Sequence, residues 1–167
     1  MVSEIMQSVK TGGDKKLKEL TARFDKVELT DLAVDATTIA AAGEQLSPQL
    51  RGAIQTAKSN IERFHLAQQT KVSEIETMPG VTCWREARGI NKVGVYIPGG
   101  TAPLFSTVLM LAVPAKIAGC QEIVLCSPPS RETGEIHPAV LYAAELCGVT
   151  KVFRIGGAQA IAAMAYG

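Results

Sequence analysis

The sequence predicts an α/β fold: a helical N-terminal region with a β-hairpin, then a parallel sheet with its connecting helices. Two observations carry this. Charge is uneven, with 24 charged side chains in residues 1–91 and nine in residues 92–167. The first stretch reads as solvated surface around amphipathic elements, the second as mostly interior. Within the second, short apolar runs alternate with helical patterns, strand then helix, three times over. That order favours a parallel sheet covered on both faces. The chain is accordingly divided into a region 1–91 and a unit 92–167.

The elements follow in order. Asp14 is placed to cap a helix with Leu17, Leu20 and Phe24 on one face. Asp35 is placed to cap a second, with Ile39, Ala42 and Leu46 inward. Ser47-Pro48 joins a capping hydroxyl to proline at the first helical position. From there Leu50, Ile54, Ala57, Ile61 and Phe64 recur at helical spacing. Pro79-Gly80 is turn chemistry between Lys71–Met78 and Val81–Arg88, which makes a hairpin. Lys92–Ile97 is the first strand of the second unit. A helix follows over Pro103–Ala118, closed by Gly119 and expected to kink or divide at Pro114. Glu122–Cys126 is the next strand, and Pro138 opens the next helix. Lys151–Ile155 is the third strand, and Gly156-Gly157 leads into the last helix.

Composition excludes several function classes. A length of 167 residues suffices to bury a core without staples, and 47% hydrophobic with 20% charged residues excludes disorder. The net charge of +1 and pI near 7.7 supply no basic field, and aromatics are only 5%. No nucleic-acid partner is expected. The uncharged run Val93–Ala115 is broken by Pro98, Gly99, Gly100, Pro103 and Pro114, so no membrane span is expected. Met1-Val2-Ser3-Glu4 does not read as a secretory leader, and a cytoplasmic protein is expected. Cys83, Cys120, Cys126 and Cys147 show no CxxC spacing, so they read as reduced thiols without zinc or redox pairing.

Neither GxGxxG nor GxxxxGK[ST] occurs. Two glycine pairs, Gly99-Gly100 and Gly156-Gly157, do follow strands, at the sheet edge where such folds bind ligands. Tyr96 lies one residue before the end of the first strand, and Gln159 in the first turn of the last helix. Each reads either as a ligand contact or as an ordinary element, a strand tyrosine with a satisfied hydroxyl and a surface amide. His65 and His137 have no helical partner of ligand type, so no metal site is expected within this chain. Cys126 ends a buried strand without a basic neighbour and reads as structural. Arg131, Glu132 and Glu135 read as a solvated loop. The residues alone describe a scaffold with a ligand-ready edge and no catalytic machinery.

Longer motifs are more specific. Gly94 through Met110, with Val95-Tyr96-Ile97-Pro98-Gly99-Gly100 at its core, resembles the GLYIPGGxAPLFSTVLM segment of the histidinol dehydrogenase family. So do Ala118-Gly119-Cys120 with Val124–Pro129, and Gly156-Gly157-Ala158-Gln159-Ala160-Ile161-Ala162-Ala163. Phe24-Asp25-Lys26, Asn60-Ile61-Glu62 and Phe64-His65 resemble it in the helical half.

The resemblance implies an incomplete Rossmann-like unit of aldehyde dehydrogenase-like architecture, lacking the usual glycine fingerprint. It implies NAD-dependent oxidation of L-histidinol to L-histidine through a histidinaldehyde stage, reducing two NAD. It also implies a zinc ion that holds the substrate, and a homodimer. Tyr96 and Gln159 match two of the family's NAD contacts, and the third, an asparagine, belongs to a segment not found here. The zinc ligands and the catalytic glutamate and histidine belong to segments not found here, so no catalytic or metal residue is expected in this chain. It resembles an N-terminal portion, inactive by itself. The alternatives are a stand-alone nucleotide- or partner-binding module, or a related NAD-dependent reductase, whose catalytic cysteine segment is not recognisable.

Overall fold

A computed structural model of the chain describes residues 1–100 and 102–166. Thr101, within the Gly94–Met110 run, and Gly167, the end of the 92–167 unit, lie outside the described residues. The elements are α1 (Val2–Phe24), α2 (Ala36–Ala41) continuing into a 3-10 turn (Ala42–Gln45), α3 (Pro48–Leu66), β1 (Ile75–Met78) and β2 (Val81–Cys83). Then come β3 (Lys92–Tyr96), α4 (Phe105–Ile117), β4 (Glu122–Ser127), α5 (Pro138–Leu146), β5 (Lys151–Arg154) and α6 (Gly157–Tyr166).

Local chemistry explains most boundaries. The Asp35 carboxylate accepts from the Thr38 N–H at 2.8 Å, and the Ser47 hydroxyl from the Leu50 N–H at 3.2 Å. These bonds satisfy donors that the first turns of α2 and α3 leave open. Hydrogen bonds from Thr37 and Thr38 hold the Asp35 carboxyl well below the usual range. Gly119 and Gly148 follow α4 and α5 at φ +89° and +72°, the left-handed geometry that ends a helix.

Three expectations need correction, and one is extended. Helix α1 opens at Val2, but Gly13 (φ 54°, ψ −146°) breaks it in two, and the part from Asp14 to Phe24 is the helix expected there. Ile5, Met6 and Val9, ahead of the break, pack with the second hydrophobic cluster and hold that earlier stretch in place. Phe24 and Phe64 are 39% and 63% exposed despite their helical spacing. Phe24 ends α1 and carries the Arg23 guanidinium 5.2 Å above its ring, while Phe64 lies beyond Ile61, where α3 last packs on the core. Pro114 neither divides nor ends α4, because it falls in the last turns, where its ring costs one hydrogen bond. The hairpin forms, but only over β1 and β2, and every strand residue in it is exposed.

The parallel sheet has the order β3-β4-β5, with Tyr96 opposite Cys126 and Cys126 opposite Phe153. Alternation along the strands sorts side chains between two layers. Val95, Ile97, Ile123, Leu125 and Val152 face a cluster that includes Val108 and Leu109 of α4, Val140 of α5 and Ile54 of α3. Tyr96, Cys126, Phe153 and Ile155 face the other cluster, built with α1 and α6. The helical region therefore adds an outer layer on both sides, α3 against α4 and α1 against α6. Over Gly94 the helix comes so close that a Cβ there would meet the Met164 sulfur at 2.5 Å.

The two edges of the sheet differ. Residues 32–34 lie antiparallel along β5, with Val34 N–H to Val152 O at 2.9 Å and Arg154 N–H to Leu32 O at 2.8 Å. Arg154 fastens that segment further through Asp31 O, Ala33 O and Glu135. Glu135 is thus an ion-pair partner as well as a loop residue. No described strand pairs with the outer edge of β3. Both α4 and α6 pack against β3, and Met110 and Ile161 on those helices are exposed. An open edge beside exposed apolar side chains favours self-association. Light scattering is expected to show association of this chain, and a monodisperse monomer at tens of micromolar would contradict it.

Candidate functional site

The carboxyl end of the sheet gathers three strand-to-helix turns. Tyr96 closes β3, and its hydroxyl accepts from the Gly157 N–H at 3.0 Å. That bond uses an acceptor position and leaves the phenolic proton to donate. Gly157 stands at φ +61°, where only glycine is unstrained, and starts α6. A Cβ on it would fall 2.8 Å from Gln159 Oε1, so the glutamine side chain folds back over the turn.

Gln159 is 2% exposed, not the surface amide of the ordinary reading. Its amide makes no side-chain hydrogen bond among the described residues. Its amide atoms are nonetheless not among the sealed, unpartnered polar atoms of the described residues, so the polar end of the side chain is open at the turn while the rest is buried. Pro128, just after β4, is wedged between the two glycine turns. A Cβ on Gly99 would lie 2.5 Å from its Cγ, and one on Gly156 2.6 Å from its Cβ. These glycines are required by close packing of one turn on another.

One residue of this site stands out in the sequence only within a segment of resemblance and not as a site residue. Asp25, the C-terminal cap of α1, reaches the Gly156 turn from outside the strand-helix unit. Its Oδ2 is buried and without a partner among the described residues. Burial raises its carboxyl above the ordinary range, with the Arg131 charge opposing.

Other titratable groups are committed elsewhere. His137 Nδ1 accepts from the Ala139 N–H at 3.1 Å as the cap of α5. Burial pushes the Cys126 thiol up to about 12 and the Cys147 thiol up to about 11, so neither is a nucleophile at neutral pH. Among the described residues, no three His, Cys, Asp or Glu side chains stand together to hold a metal, so these residues do not fit a zinc site. No helix among them is long and apolar enough to cross a membrane.

Known proteins share this fold and sequence. The crystal structure of histidinol dehydrogenase from Elizabethkingia anophelis superposes with a TM-score of 0.95 at 51% identity, covering 99% of this chain and 38% of that one. Histidinol dehydrogenases of Bacteroides thetaiotaomicron and Bacteroides fragilis are 60% and 58% identical over 166 residues. That of Salmonella typhimurium is 56% identical. The chain spans 39% of the length of each Bacteroides protein and 37% of the Salmonella one. The family model for histidinol dehydrogenase matches residues 1–167. With that match and these identities along its length, the chain belongs to the histidinol dehydrogenase family.

Proposed function

We propose that this chain supplies the NAD-contacting part of a histidinol dehydrogenase, an oxidoreductase of histidine biosynthesis. The whole enzyme would oxidise L-histidinol to L-histidine through histidinaldehyde, with two NAD as hydride acceptors. It would work in the cytoplasm as a homodimer, on a zinc ion whose ligands lie outside this chain. The carrying observation is that the Gly157 turn brings the Tyr96 hydroxyl, which accepts its N–H, and the Gln159 side chain, which folds back over it, to one point at the carboxyl end of the sheet.

Topology supports the same reading. Helices α4 and α5 belong to one face of the sheet and α6 to the other, and both α4 and α6 flank β3. In open α/β sheets the ligand crevice lies outside the strand ends where the chain changes face. Here that is the carboxyl end of β3, at Tyr96. NAD supplies the hydride-accepting ring when bound, and this chain's part is to hold and orient the dinucleotide. Tyr96 would donate its phenolic proton to an acceptor on NAD. Gln159 would offer both an N–H and a carbonyl.

The test uses the protein extended to the length of its relatives. Tyr96→Phe is expected to raise the apparent NAD constant several-fold and Gln159→Ala about ten-fold, each losing a buried hydrogen bond. An unchanged constant in both variants would make the two side chains structural and overturn the proposal.

A further inference from the structure

We infer that Asp25 binds the adenosine ribose diol of NAD and sets a preference for NAD over NADP. The inference rests on the NAD reading of this site and adds a residue to it.

In doubly wound dinucleotide domains, an acidic residue at the end of the second strand holds the ribose hydroxyls and excludes a 2′-phosphate. The second strand here is β4, which ends at Ser127 and runs into Pro128-Pro129, with no acid. The missing carboxylate comes from elsewhere in the chain. Asp25 leaves the end of α1 with its two oxygens 3.3 and 3.4 Å from where a Cβ on Gly156 would stand. That same Cβ would press on Pro128, so the carboxylate, the end of β4 and the start of α6 meet at one point. The residue is half-buried: Oδ2 is sealed from solvent in this structure, and a ligand reaches the carboxylate from its Oδ1 side.

Its demand for hydrogen bonds is unmet. Oδ2 has no described partner, and neither has Thr21 Oγ1 one helical turn back on the same face. Arg131 attracts the carboxylate but makes no salt bridge with it among the described residues. A carboxylate is an acceptor only, so the ligand group it takes must be a donor. A diol offers two donors, whereas a phosphate at the same place would meet like charge. The position beside the first turn of α6 matters here. A helix N-terminus ordinarily favours phosphate, and Asp25 reverses that preference locally.

The experiment measures NAD and NADP dissociation constants by titration calorimetry on the protein at its relatives' length. The unmodified protein is expected to prefer NAD. Asp25→Asn is expected to weaken NAD about ten-fold while leaving NADP equal or tighter, so the preference collapses. NAD with a 2′-deoxyadenosine ribose should bind the unmodified protein about ten-fold more weakly than NAD, and the variant should not distinguish them.

The variant's melting temperature separates this from a structural role. A raised carboxyl destabilises the fold increasingly as pH climbs from the ordinary aspartate value through the folded one. Asparagine lacks that cost, so the variant should melt no lower than the unmodified protein. If Asp25→Asn weakens both dinucleotides equally, or the deoxy form binds the unmodified protein as well as NAD does, the inference fails. An unmodified protein that binds neither dinucleotide overturns the NAD reading and this inference with it.

Discussion

Mixed with L-histidinol, NAD and zinc, the 167-residue chain is expected to produce no NADH above background. Two hydride transfers need a substrate held against NAD and groups that carry protons. Those groups contribute factors of about 10² or more each. Among the described residues no cluster fits a metal, Cys126 and Cys147 stay protonated, and His137 is spent on capping α5. What this chain holds is positioning chemistry, which lowers a barrier only when reacting atoms are also present. The measurement is NADH fluorescence over hours, with and without a chelator. Zinc-dependent NADH formation would overturn the expectation and move catalytic residues into this chain.

The second large effect is on stability. Ile54→Ala is expected to cost about 2–5 kcal/mol, the range for truncating a buried isoleucine. Ile54 belongs to α3 in the helical region, yet its side chain is fully buried in the cluster that holds Val95 and Leu125 of the sheet. Gln55 beside it donates to the Tyr142 hydroxyl of α5 at 2.9 Å, a second tie between regions. Denaturant unfolding should therefore show one transition at a lower midpoint, with the sheet losing protection together with α3. Phe64→Ala, ten residues on and 63% exposed, should change stability by less than about 0.5 kcal/mol. Two separated transitions, or equal costs for both substitutions, would show that the helices fold apart from the sheet.

The sequence was legible wherever structure is decided locally. Ser47-Pro48 and Asp35 announced their helices because a cap is a short-range hydrogen bond. The three parallel strands stood out as short apolar β-branched runs between turn residues, although only β4 is largely buried while β3 and β5 keep exposed or half-exposed positions. Tyr96 and Gln159 could be placed at the sheet edge by counting along a strand and a helix turn. Burial of Gln159 could not be counted in that way, since it depends on how the Gly156-Gly157 turn seats against Pro128. Phe24 and Phe64 show the limit of periodicity, which finds a face but not the length of the partner that covers it. Asp25 shows a deeper limit. Phe24-Asp25-Lys26 resembles the family segment but does not say that Asp25 belongs to a site, and only tertiary packing carries the end of α1 to a turn more than a hundred residues away.

The difference between the two sheet edges has a directional consequence. Residues 32–34 and the Arg154 contacts finish the sheet on the β5 side, so growth there is blocked. Any strand that joins must dock alongside β3, and a parallel one would set its own carboxyl end next to Tyr96. Completing the sheet and walling the ligand crevice then become a single event. Such a scaffold would ripen as a binding site only when its open flank is filled, which links cofactor affinity to assembly rather than to the folding of this part alone.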